Sequence, residues 1–178
     1  NPEAVEQVSD LSALPILTKD QVRNNVTQFL AEHISVSKQQ RISTSGTTGT
    51  PLEIYVDKQA NLQEFVYYWR YWGWFGYHLG TRFAELSAEF FRCPNTISQQ
   101  VSHFHPFTQR LLLNSLILSK SHVAAYIQAL QHYAPCFLKG SPSNLYVLAL
   151  LLQDAGCRDI RFHAVFSQGE CLTDYQRS

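Results

Sequence analysis

The 178-residue sequence has no methionine, no net formal charge (14 Lys and Arg against 14 Asp and Glu) and only four cysteines. Each shortage excludes something. A chain that starts at Asn1 without a single methionine reads as a piece taken from a longer protein. Balanced charge removes the strong field that non-specific binding to nucleic acid or to an anionic membrane requires, so an anionic ligand must be held by local geometry. No nucleic-acid partner is expected. Cys93, Cys136, Cys157 and Cys171 are far apart and form no C-x-x-C pair. Their spacing suits neither a zinc site nor a disulfide framework, and reduced thiols are the expectation. The longest apolar run, Leu145 to Leu152, is well short of the roughly 20 residues that cross a bilayer. The opening NPEAVEQVSD lacks the basic-then-apolar order of a signal peptide. What remains is a chain that is 45% hydrophobic, enough to bury a core, and the expectation is a soluble, cytoplasmic globular segment.

The periodicities point to an α/β fold. Thr18 with Gln21 three residues on forms a capping box, and Val22, Val26, Phe29 and Leu30 then fall on one face of an amphipathic helix. RIST (41–44) and PLEIYVD (51–57) read as strands, the second alternating Leu52, Ile54 and Val56 with Glu53, Tyr55 and Asp57. A long helix is expected from Lys58 to about Leu79, rich in rings on every face, and so packed between layers or lining a pocket. TRFAELSA (81–88) reads as a strand and 89–108 as an irregular connection. A rhythm of helix and strand comes next. A helix over 121–133 presents Val123, Tyr126, Ile127 and Leu130, and CFLKG (136–140) is a short strand. Ser141 and Pro142 open a helix at N-cap and N1; it is apolar nearly all round, stops at Gly156 and is expected to be buried on more than one side. FHAVFS (162–167) is a strand, and Thr173 with Gln176 a second capping box. Alternation of this kind predicts a mostly parallel sheet covered by helices. Ligands of such sheets bind outside the carboxyl ends of the strands, where GSP (140–142) and SQGE (167–170) fall.

The densest chemistry is RISTSGTTGTPL (41–52). It is neither a Walker loop nor a dinucleotide fingerprint, for it has no G-x-x-x-x-G-K and no internal lysine. Gly46 and Gly49 free a run of backbone N–H groups, and Ser43, Thr44, Ser45, Thr47, Thr48 and Thr50 add hydroxyl donors, which together suit phosphate oxygens. The same composition describes a solvated linker; the flanking strands favour the phosphate loop. Elsewhere, His103 and His105 of HFHP would face one way on a strand, yet no third metal ligand lies near in sequence, and no metal site is expected. Lys139 reads as an exposed strand-end lysine and Glu170 as a carboxylate in a structural hydrogen bond.

STSGTTGTP resembles the phosphate-binding signature of the adenylate-forming superfamily: acyl-CoA synthetases, luciferases and peptide-synthetase adenylation domains. LPILTKDQVRNN, LNSLILSKSHVAAYIQAL, FLKGSPSNLYVLALLL and VFSQGECLTDYQR resemble, more narrowly, the phenylacetate-CoA ligase and capsule-biosynthesis (CapK-like) branch, so the likeness runs from about Leu14 to Arg177. It implies the N-terminal portion of that large domain. It also implies the reaction: a carboxylic acid attacks the α-phosphate of ATP, with Mg²⁺, to give an acyl adenylate and pyrophosphate, and a thiol such as that of CoA then takes the acyl group. By the resemblance Thr44, Ser45, Gly46, Thr47, Thr48 and Gly49 hold the β and γ phosphates. Ser167, Gln168, Gly169 and Glu170 pack against adenosine, and Gly140, Ser141 and Pro142 lie beside the acyl pocket. Tyr71 and Trp74 are the choices for a ring-lined pocket wall, against the plainer reading of a core helix, and His105 for a polar contact near the substrate.

Two departures qualify this. Many members carry a lysine in or just after the loop, where Thr50 and Leu52 stand here; Arg41 and Lys58 are the candidates to replace it. The sequence also stops before the positions at which the family has its aromatic-Gly-x-Thr-Glu motif, its ribose-binding Asp and the C-terminal lid domain with the catalytic lysine. The expectation is therefore a partial AMP-binding domain over 1–178, inactive alone, with its catalytic residues beyond Ser178. The rival expectation is a non-catalytic binding or scaffolding domain on the same fold, motivated by the missing lysine.

Overall fold

The computed structural model describes residues 7–30, 34–43, 51–88, 90–92 and 99–177. The chain divides into two compact units, Asn1–Tyr68 and Trp69–Ser178.

In the first unit the Thr18 hydroxyl accepts from the Gln21 N–H at 3.3 Å while the Gln21 side chain accepts from the Thr18 N–H at 2.8 Å. This capping box starts α1 (Lys19–Asn24). The single amphipathic helix expected through Leu30 is instead divided at Asn25, whose φ is −132°. The Asn25 amide donates to the Gln21 carbonyl at 2.9 Å, a side-chain bond that competes with the helical ladder, and a 3-10 turn over Val26–Phe29 comes after it. Val22, Val26 and Phe29 still lie together, enclosing with Leu52 and Ile54 a cavity of about 270 Å³. Strands β1 (Gln39–Ser43) and β2 (Glu53–Asp57) pair antiparallel, with Ser43 opposite Glu53 and Gln39 opposite Asp57. Thr44 to Thr50, between them, lie outside the described residues.

Helix α2 (Lys58–Gly73) contains the boundary between the units. It ends six residues before the expected Leu79, because the chain turns at Gly73 and the Tyr77 N–H bonds back to the Trp72 carbonyl at 3.2 Å. The packed, all-round aromatic helix is also corrected. Trp72 alone is buried along α2, whereas Tyr67 is 67% exposed and Tyr71 is 45% exposed.

The second unit holds a five-stranded sheet in the order β4-β5-β3-β6-β7: β3 (Phe83–Ser87), β4 (Ser102–His105), β5 (Arg110–Asn114), β6 (Phe137–Gly140) and β7 (Ala164–Ser167). All neighbours are parallel except β4 with β5. The connection expected to be irregular over 89–108 thus contains an edge strand, and β5 adds another parallel strand. Helices α3 (Val123–Tyr133) and α4 (Pro142–Asp154) cover one face. There Ala84, Leu86, Leu111, Leu113 and Leu138 pack against Tyr126, Leu130 and Leu148. Helix α4 buries Pro142, Leu148 and Leu151 but leaves Val147 and Leu150 exposed, so it is one-sided and not enclosed as expected. The other face is aromatic: Phe166 stacks within 5.7 Å of Phe137 and 5.6 Å of Trp72. A short helix α5 (Asp174–Arg177) succeeds the Thr173–Gln176 capping box.

The α/β class and the mostly parallel, helix-covered sheet are as the sequence predicts. Among the described residues, no helix is long and apolar enough to cross a membrane. Cys136, Cys157 and Cys171 are free thiols, and Cys93 lies outside the described residues.

Candidate functional site

The strand order places a switch point beside β3. From β3 the chain moves to β5 on one side, then returns across β3 through α3 to β6 and onward to β7. In open parallel sheets, ligands bind at the carboxyl ends of the strands flanking such a reversal. The carboxyl end of β6 is Gly140, with Ser141 and Pro142 immediately after it. A Cβ on Gly140 would stand 3.1 Å from Leu86 Cβ and 3.2 Å from Leu145 Cγ. Glycine is thus what lets the first turn of α4 lie against β3 and β6.

The two turns singled out in the sequence meet here. Gly140 pairs with Ser167 at the end of β7, and the Gln168 N–H donates to the Gly140 carbonyl at 3.1 Å. Ser141 caps α4, its hydroxyl accepting from the Asn144 N–H at 3.4 Å. Glu170 reaches the same helix end: its carboxylate accepts from the Ser143 N–H at 3.2 Å and from the Ser143 hydroxyl. The Ser143 hydroxyl, then its backbone N–H, holds the Glu170 carboxyl below the usual carboxylate range. Because Pro142 at the first position has no N–H, this arrangement satisfies two of the three N–H groups that this helix start leaves unpaired. The expected structural hydrogen bond of Glu170 is present; its partner Ser143 was missed. The only sequence signal was a hydroxyl at the second position of a capped helix.

Pro142 and Ser167 also border an apolar cavity of about 360 Å³ walled by Leu145, Leu148, Leu152, Phe162 and Val165, with Gln176 and Arg177 as its polar edge. Tyr71 and Trp74 lie on the opposite, aromatic face. Their rings meet edge to face at 5.8 Å, and Tyr71 touches Phe166, the residue before Ser167, at 6.1 Å. His105 is not brought to this site. It sits opposite Arg110, the first residue of β5, at the amino end of the parallel strands, and its Nδ1 is 3.1 Å from the Thr108 hydroxyl. His103 stacks on Phe90 at 4.5 Å. Among the described residues no three His, Cys, Asp or Glu side chains gather as a metal site. Thr44, Ser45, Gly46, Thr47, Thr48 and Gly49 lie outside the described residues.

The cations are placed differently from what the sequence suggested. Lys139 is not an exposed strand-end lysine. Its side chain is 13% exposed, lies 5.7 Å from the Trp72 ring and donates to Glu85 at 3.0 Å. The other Glu85 oxygen takes Arg110. Lys139 stands directly opposite Glu85 across β6 and β3, a register that sequence alone does not reveal. In the first unit, Arg41 pairs with Glu53, and Lys58 donates to the Ser37 carbonyl at 3.2 Å.

No protein-family model matches this chain, and no curated protein matches it. The fold by itself defines an α/β protein, with a candidate site built from turns at the carboxyl ends of adjacent parallel strands.

Proposed function

We propose that this chain is the N-terminal part of an ATP-dependent, adenylate-forming acyl ligase similar to the phenylacetate-CoA ligase and CapK-like enzymes. The substrates are a carboxylic acid and ATP with Mg²⁺, the acyl acceptor of the full-length protein is a thiol such as that of CoA, and the setting is cytoplasmic capsule or polysaccharide biosynthesis. One observation carries the reading. The GSP and SQGE turns, which the resemblance assigns to the acyl and adenosine ends of one ligand, lie side by side and hydrogen-bonded at the carboxyl ends of β6 and β7.

The residues present fit a nucleotide. Ser167, Gln168 and Gly169 are exposed. Gly169 has φ +86°, and a Cβ there would meet nothing within 4 Å, which leaves a planar base room against the turn's backbone. Hydroxyls and amides of the 44–49 loop would receive the β and γ phosphates, as donors to the charge that builds up on departing pyrophosphate. Mg²⁺ usually keeps several waters and substrate phosphate oxygens as ligands, so it does not need a protein cage here.

A second reading, the non-catalytic scaffold, draws support from the engagement of both replacement cations: Arg41 with Glu53 and Lys58 with Ser37. Two measurements on the full-length protein separate the readings. Sub-millimolar ATP binding by calorimetry, together with carboxylate-dependent exchange of pyrophosphate into ATP, supports the ligase. Absence of both supports the scaffold.

A further inference from the structure

We infer that Glu170 is a positioning residue for the nucleotide, its carboxylate locking the Ser167–Gly169 turn onto the first turn of α4. This rests on the ligase reading above. Two fastenings converge on the turn. The Gln168 N–H holds it to Gly140, and Glu170 holds it to Ser143 across 27 residues of sequence. Gly169 lies between the two in a left-handed conformation, the freest backbone of the turn, so the fastenings on either side decide where its peptide planes face.

A carboxylate suits this role better than a neutral group. Ser143 N–H belongs to the first turn of α4, where the helix presents partial positive charge, and the Ser143 hydroxyl adds a second donor to the same oxygen. Ser141 takes the next free amide, that of Asn144, so the two residues divide the helix start between them. Filled by the protein's own carboxylate, this helix end is not open to a ligand phosphate. The turn's exposed backbone then faces the base while phosphates are received elsewhere.

The test compares Glu170→Ala, Glu170→Gln and Ser143→Ala in the full-length protein. ATP affinity is measured by calorimetry, KM for ATP and kcat in pyrophosphate exchange, and hydrogen exchange at the Ser143 amide. Glu170→Ala is expected to weaken ATP binding about tenfold, the loss of a charge-assisted bond, and to raise KM with kcat nearly unchanged. Ser143→Ala gives a smaller shift. Glu170→Gln, which keeps an acceptor oxygen without the charge, recovers part of the affinity even if the alanine variant folds poorly. Wild-type ATP affinity in Glu170→Ala, with faster exchange at Ser143, overturns the positioning role and leaves only a helix cap. No ATP binding by the wild type overturns the ligase reading and this role together.

Discussion

Removing Glu85 is the most telling perturbation of the second unit. Its carboxylate bridges Arg110 and Lys139 from the centre of the sheet, where the three side chains are 17%, 28% and 13% exposed. Glu85→Ala leaves two cations with no shared anion, one of them 5.7 Å from the Trp72 ring. Breaking a fully buried pair costs about 3–5 kcal/mol; the partial exposure here scales that to roughly 2–3 kcal/mol. For a unit of this size that lowers the melting temperature by roughly 10–15 °C. Lys139→Met keeps an apolar stem against Trp72 and leaves Glu85 its Arg110 partner, so it costs under about 1 kcal/mol. The double variant is then milder than the sum of the singles by about 1 kcal/mol, because each single already loses the Lys139–Glu85 contact. Urea unfolding monitored by tryptophan fluorescence reads all three. A Glu85→Ala cost below about 0.5 kcal/mol, or strictly additive effects, refutes the claim that Glu85 neutralises buried charge.

Other perturbations probe the same scaffold. Gly140→Ala puts a Cβ 3.1 Å from Leu86 and 3.2 Å from Leu145; overpacking of this kind costs about 1–3 kcal/mol, visible as a lower urea midpoint. Leu148→Ala empties a position only 1% exposed and should cost about 3 kcal/mol by the same assay. Burial pushes the Tyr126 phenol up to about 12, while the unfolded phenol titrates near its ordinary 10. The folded value is the raised one, so the stability it brings is whole below pH 10 and is lost as pH rises toward about 12; Tyr126→Phe should remove that alkaline slope. Glu170 shows the opposite sign. Its folded value is depressed, so its contribution stands above the ordinary 4.5 and is lost as pH falls through the folded value; Glu170→Gln should flatten that acid limb.

What the sequence made legible was what local chemistry decides. Thr18–Gln21 and Thr173–Gln176 announce helix starts by their own reciprocal bonds, and Ser141–Pro142 does so by cap and fixed φ. Period-2 alternation revealed β2, and short strand-like runs revealed β3, β6 and β7. The misses depend on partners far along the chain. SHFH and RLLLN are too short to stand as strands alone; SHFH is a strand because RLLLN lies beside it, and RLLLN because β3 lies on its other side. Lys139 looks like surface until the register sets Glu85 opposite. Asn25 falls inside the helix expected through Leu30, yet its amide donates to the Gln21 carbonyl and divides the element. At the site, the two turns were each legible by composition and strand-end position. That Glu170 ties one to the other through Ser143 depends on packing 27 residues apart.

The most direct test of the central claim is made on the hydroxyl-rich loop. In the full-length protein, carboxylate-dependent exchange of pyrophosphate into ATP is measured for the wild type and for Thr47→Ala combined with Thr48→Ala. Loss of two donors to developing phosphate charge should lower exchange by on the order of a hundredfold or more. Exchange unchanged in the double variant would contradict the assignment of this loop as the phosphate cradle, and with it the ligase account.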